Sequence, residues 1–170
     1  MPVMKTPIET LALVQRHVQK YNNQTGGSCA ASGIEMILKL EGLVPDNFYE
    51  IQDKYQYQNT GFAEFDGKNI HGLVFRARRL PWRDLSLTEA MLTELNAGRY
   101  FLVSLPVGGW HVFVVFLHNQ DDFHAVSKFG TFETGTEPMI LNMITTLCQF
   151  LKVLDELDIL TYSKPELIGS

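Results

Sequence analysis

The sequence predicts an α+β fold, with a helical first half and an antiparallel sheet in the second. Two observations carry that prediction. Up to about residue 97 the apolar residues recur at helical spacing, and from Arg99 onward valine and phenylalanine fill short extended runs separated by turn residues. The chain has no internal repeat, and its 170 residues suffice for a single domain, 1–170, with a core of its own.

The elements follow in order. Residues 7–21 form an amphipathic pattern, with Ile8, Leu11, Val14 and Val18 at helical spacing. A glycine loop leads into a second helix from about Cys29 to Glu41, stopped by Gly42 and Pro45. "DNFYEIQDKYQY" predicts a third helix capped by Asp46 or Asn47, and "NTGFAEFDGKNIHG" a loop. "SLTEAMLTELNAG" carries its own punctuation: Ser86 as cap, Glu89 three residues later, Gly98 at the end. Three strands are expected next, "RYFLVSLP", "WHVFVVFLH" and "FHAVSKF". The middle one is apolar on both faces and should be covered on both sides. "NQDD" turns it into the third as an antiparallel hairpin. A last helix is expected over "EPMILNMITTLCQFLKVLDEL", with Leu141, Ile144, Leu147 and Leu151 on one face. Cys148 lies in that stripe as a small buried hydrophobe.

Composition narrows the functions. A net charge of −5 argues against a general binder of nucleic acid or of anionic membranes, both of which need a clustered basic face. The one basic run, "RARRL" at Arg76 to Leu80, is expected as a solvated patch. The longest apolar stretch is broken by Pro106, Gly108, Gly109 and His111, so it cannot face lipid. Two cysteines make no disulfide framework and point to a reducing compartment. With no secretory signal legible, the expected location is the cytoplasm, or outside by a signal-less route. The histidines do not pair with the cysteines at zinc-ligand spacing, so neither metal nor cofactor is expected. Nothing in the sequence sets the oligomeric state.

The chemistry concentrates in "NNQTGGSCAASGIEMILKLEG". A cysteine in the first turn of a helix meets the positive end of the helix dipole, which favours the nucleophilic thiolate. The preceding glycines let a carbonyl substrate approach the backbone closely. Gln24, five residues upstream, has an amide able to donate to the oxyanion formed when the thiolate attacks. Taken alone, a cysteine in an apolar helix is more often a buried structural residue. His111 shifts that balance, because it begins the central strand directly after "GGW". A cysteine on an early helix and a histidine on a later strand can work together. The imidazole takes the thiol proton and later protonates the leaving group. His17 falls on a helix, and His71, His118 and His124 fall on loop, turn and strand positions without a comparable setting.

These segments resemble the papain-superfamily peptidases that cleave double-glycine bacteriocin leaders. Gln24, Cys29 and "AASGIEMILKLEG" are similar to that family's cysteine helix, and "LTEAMLTELNAGRYFLVSLPVGGWHVFVVF" to its approach to the histidine. The resemblance spans about residues 20–150 and implies a papain-like fold, with the cysteine helix packed on the sheet. It further implies a peptidase with Cys29 as nucleophile, His111 as base and Gln24 as oxyanion donor. Two departures stand out. Gln24 is one residue closer to the cysteine than is usual in the family. An aspartate expected about sixteen residues after the histidine is missing, since Ser127 and Lys128 occupy that region. Asp121 and Asp122 sit at the far end of the hairpin, about 20–30 Å from His111 at roughly 3.3 Å per residue. Ser127, Thr131 or Glu133 are the local candidates for the third member, and a Cys–His dyad is the alternative.

The expected substrate is a peptide or protein, cut at a peptide or isopeptide bond by a free-standing processing peptidase, toxin or effector. The same thioester chemistry also serves a deamidase, a transglutaminase or a peptidoglycan amidase. In the amidase a second histidine follows the first by about a dozen residues, as His124 follows His111. A reading of another class makes the chain a catalytically inactive domain that keeps the fold to hold a peptide.

Overall fold

The computed structural model describes Glu9, Ala12 and residues 29–55, 61–81, 86–106, 110–119, 122–127 and 156–164; for Cys29, His111 and Ser127 it describes the backbone. The fold is α+β, with every described strand pairing antiparallel. The described helices are α1 (Cys29–Leu40), α2 (Glu50–Lys54) and α3 (Ser86–Asn96), with a 3-10 turn at Phe62–Phe65. The strands are β1 (Asn69–Ile70), β2 (Leu73–Pro81), β3 (Phe101–Pro106), β4 (Trp110–Asn119), β5 (Asp122–Ser127) and β6 (Glu156–Ser163). They form one sheet in the order β1-β2-β6-β3-β4-β5.

Two helices end as their glycines dictate. After α1, Gly42 adopts φ +73°, its N–H donates to Lys39 carbonyl (3.0 Å), and Leu43 N–H reaches back to Leu38 carbonyl (2.9 Å). Gly98 does the same for α3 at φ +81°, with Arg99 N–H on Glu94 carbonyl (2.8 Å). Both are Schellman closures, which only a residue tolerant of positive φ completes cheaply. Ser86, expected as a cap, is the first helical residue of α3.

The sheet separates two apolar layers. On one face Leu102, Val112, Val114, Phe116, Leu160 and Tyr162 pack with Ile34, Ile37 and Leu38 of α1. On the other, Phe101, Val103, Phe113, Val115 and Ile159 pack with Leu87 and Met91 of α3. β4 is thus covered on both sides, as its unbroken apolar run requires. β4 and β5 pair antiparallel, with Asn119 facing Asp122.

Three expectations are corrected. The order is not helices first and sheet second, because β1 and β2 precede α3. The expected loop over 59–72 contains the 3-10 turn and β1. A two-residue turn follows, His71 at φ +50° and Gly72 at φ +93°, the positive values a tight hairpin turn demands. Finally, Glu156 and Leu157, expected at the end of a helix, begin β6 instead. Residues 156–163 pair with β2 along their whole length and with β3 at Ile159 and Leu160, and that tertiary pairing overrides the local helical period. The rest of that expected helix, Cys148 included, lies outside the described residues. So does most of the helix expected at 7–21, of which Glu9 and Ala12 are described and are helical.

Candidate active site

Cys29 is the first residue of α1, where a thiol meets the positive end of the helix dipole. Where that end of the helix lies follows from contacts further along it. At the opposite end Glu41 accepts a hydrogen bond from the Tyr162 hydroxyl (2.5 Å), which itself accepts from Tyr100 N–H (2.9 Å). Tyr100 directly precedes β3, whose first residue Phe101 faces Val115. Midway, Gly33 rests on the sheet so closely that a methyl group there would lie 2.7 Å from Leu102 Cδ2 and 3.2 Å from Val112 Cγ1. From Gly33 back to Cys29 is one further turn, about 6 Å along the axis. The first turn of α1 therefore lies at the end of the sheet where β4 begins, and His111 is the second residue of β4.

The register fixes the histidine's place within that end. His111 faces Leu105, one pair in from Trp110 and Pro106. Val112 and Val114 belong to the α1 layer, whereas Phe113 and Val115 belong to the α3 layer. His111 has the parity of Phe113 and Val115, so its strand position falls on the α3 side of the sheet. Ser127 faces Phe113 across the β4–β5 ladder. His111 and Ser127 are thus diagonal neighbours of the same parity, with Cα atoms roughly 7–8 Å apart. His124 faces Leu117, six residues beyond His111 and about 20 Å along the strand at roughly 3.3 Å per residue. That spacing separates the two histidines that an amidase arrangement would bring together. Asp122 faces Asn119, further away still. His71 sits exposed in its turn, edge-on to Phe48 at 5.1 Å. Gln24, Thr131 and Glu133 lie outside the described residues.

Beside this end lies a buried polar network that the sequence did not bring to notice. Glu35 of α1 is fully buried, and its Oε2 accepts from the N–H groups of Ile51 (2.8 Å) and Gln52 (3.0 Å). Its Oε1 accepts from Gln52 Nε2 (2.6 Å), and Gln52 Oε1 accepts from Ser32 Oγ (3.0 Å). The carboxylate of one helix thus satisfies the first amides of the next, taking the capping role expected of Asp46 or Asn47. Tyr49 occupies the cap position of α2 and makes no side-chain cap bond. Burial pushes the Glu35 carboxyl above its ordinary range, and the Gln52 and Ile51 hydrogen bonds and the charge of Lys39 pull it part of the way back. The signal was in the sequence: Glu35 is the only acid within the apolar stretch "AASGIEMILKL".

Chemically, the end of the fold where α1 and β4 both begin offers a thiol at a helix N-terminus and an imidazole on the adjoining strand. Among the described residues no cluster of histidine, cysteine, aspartate or glutamate has a metal-binding arrangement, and no helix is long and apolar enough to cross a membrane. Compared with protein-family models, with curated proteins and with solved structures, the chain matches none.

Proposed function

We propose that the chain is a papain-like thiol hydrolase acting on a peptide or isopeptide bond, with Cys29 as nucleophile and His111 as base. One observation carries the reading: α1 begins at Cys29 and lies on the sheet with that end toward the start of β4, where His111 stands. In the reaction the thiolate sulfur attacks the carbonyl carbon, and the imidazolium gives its proton to the departing amine. A thioester remains. Water, deprotonated by the neutral imidazole, then attacks that thioester, and the thiolate leaves. Gln24 is assigned to the oxyanion and Ser127 to orienting the imidazole, the latter because it is the diagonal neighbour of His111. The substrate is a peptide or protein, and neither cofactor nor metal takes part.

A second reading, an inactive peptide-binding domain, is favoured by the parity of His111. Alternation assigns that position to the α3 side, so pairing with Cys29 requires the imidazole to come round the end of the sheet. Thiol labelling separates the two. In the native protein iodoacetamide at neutral pH should modify Cys29 before Cys148, and His111→Ala should slow that reaction below the ordinary thiol pKa of about 8.5. His124→Ala should not. A Cys29 that reacts like a free thiol and ignores His111 removes the hydrolase and leaves the binding domain.

A further inference from the structure

The sheet ends on one side in a strand that is only partly covered. β1 faces just the start of β2, with Ile70 opposite Leu73 and Asn69 opposite Val74. Beyond it Gly67 N–H donates to Phe75 carbonyl (2.8 Å) and Phe75 N–H donates to Lys68 carbonyl (3.0 Å), so two residues face one. Gly67 at φ +75° makes this a glycine bulge, which terminates pairing. Asp66 Oδ1 then accepts from Ala77 N–H at 2.9 Å, standing in for the carbonyl of a missing strand residue. Odd-numbered residues of β2 therefore turn their backbone groups outward. The cover stops there: the carbonyl of Ala77 and both backbone groups of Arg79 have no partner among the described residues. Pro81, with no N–H, closes the edge.

Charge decides what fits. Arg76, Arg78 and Arg79 are all exposed along this edge, in a chain whose net charge is −5. Arg79 is paired to Asp158 of the neighbouring strand (3.2 Å), whereas no described carboxylate pairs with Arg76 or Arg78. These two share one parity, two residues apart, the repeat at which alternate side chains of an added strand would stand. A second copy of β2 would set arginine against arginine, which the edge resists. We propose that the outer edge of β2, from Ala77 to Pro81, receives an extended acidic peptide as a further strand, held by the backbone of Ala77 and Arg79 and by Arg76 and Arg78. This proposal is independent of the Cys29 reading.

The test is an amide-resolved NMR titration of the full chain with an acetylated Glu-Val-Glu-Val-Glu-Val peptide. Saturable shifts centred on the amides of Ala77 and Arg79 are expected. The Arg76→Ser/Arg78→Ser double variant, altered only at exposed side chains, should bind roughly fivefold more weakly. The same peptide N-methylated at alternate amides should not bind, since it cannot complete the ladder. Equal binding by the methylated peptide, displacement by a short oligophosphate, or no shift up to millimolar peptide would each overturn the proposal.

Discussion

Removing the carboxylate of Glu35 tests the coupling between α1 and α2 directly. In Glu35→Ala the N–H groups of Ile51 and Gln52 and the side-chain amide of Gln52 lose the acceptors they meet at 2.8, 3.0 and 2.6 Å. A buried donor left unsatisfied costs about 1–3 kcal/mol. α2 is short enough to fray and admit water to some of them, so the expected loss is about 4 kcal/mol, near the top of what single substitutions do. At about 2–4 °C per kcal/mol for a chain of this size, the melting temperature should fall by about 8–16 °C. Glu35→Gln should behave differently. Its carbonyl can take the two backbone amides, and its NH₂ can face Gln52 once that amide turns over. Ser32, whose hydroxyl accepts as well as donates, then takes the Gln52 NH₂. The loss should be about 1 kcal/mol. The pH dependence has a definite sign. Because burial raises the Glu35 carboxyl, the folded state holds that proton more tightly than the unfolded chain does. The associated stability is fully present below the unfolded value of about 4.3 and is lost as pH rises through the higher folded value. Wild type should therefore lose ground to Glu35→Gln as pH rises from about 4.3. Urea denaturation of the three proteins at several pH values is the assay. Equal losses for Glu35→Ala and Glu35→Gln, or a Glu35→Ala loss under about 1 kcal/mol, would refute the capping role.

Gly33→Ala should destabilise by about 1 kcal/mol, since a gain of about 1 kcal/mol in helix propensity is outweighed by about 1–3 kcal/mol of overpacking against Leu102 and Val112. A double-mutant cycle with Leu102→Val, read by urea midpoint, should show favourable coupling. Tyr162→Phe removes the hydroxyl that links Glu41 to Tyr100 and should cost about 1–2 kcal/mol. Burial and the neighbouring Glu41 raise that phenol well above its ordinary range, so wild type keeps this advantage up to about pH 10 and loses it above. Alkaline denaturation compared between the two proteins checks the sign. On the proposed oxyanion role, Gln24→Ala should lower kcat by about 10²–10³ on a confirmed substrate with KM little changed and Cys29 still alkylatable.

Much of the fold was legible because local and tertiary forces agree there. Gly42 and Gly98 end helices that their sequences also begin, and β4 is apolar on both faces because both are buried. Legibility failed where a partner distant in sequence decides. β2 is nine residues with three arginines, and it is a strand because Glu156–Ser163 pairs along it. Residues 156–157 continue a helical period, and it is their pairing with Pro81 and Leu80 of β2 that makes them extended. The α2 cap was misassigned for the same reason: the acceptor comes from Glu35, sixteen residues back, rather than from the neighbouring Asp46. At the candidate site the positions of Cys29 and His111 at the starts of their elements follow from composition and punctuation. The parity of His111 did not, because it depends on which layer claims Val112 and Val114.

The place of β6 in the sheet bears on how the protein is made. β1 and β2 can pair as they emerge, and β3, β4 and β5 can form a meander, but among the described residues no strand pairing joins these pieces until residues 156–163 enter between β2 and β3. During synthesis the nascent chain therefore holds two incomplete sheets with facing edges unpaired, each a template for pairing with other chains. The last described strand acts as a keystone. Until it leaves the ribosome the sheet between the α1 and α3 layers stays split and lacks Leu157, Ile159, Leu160 and Tyr162, so any event that stops translation before about residue 156 should yield an incomplete sheet, not a smaller version of the fold.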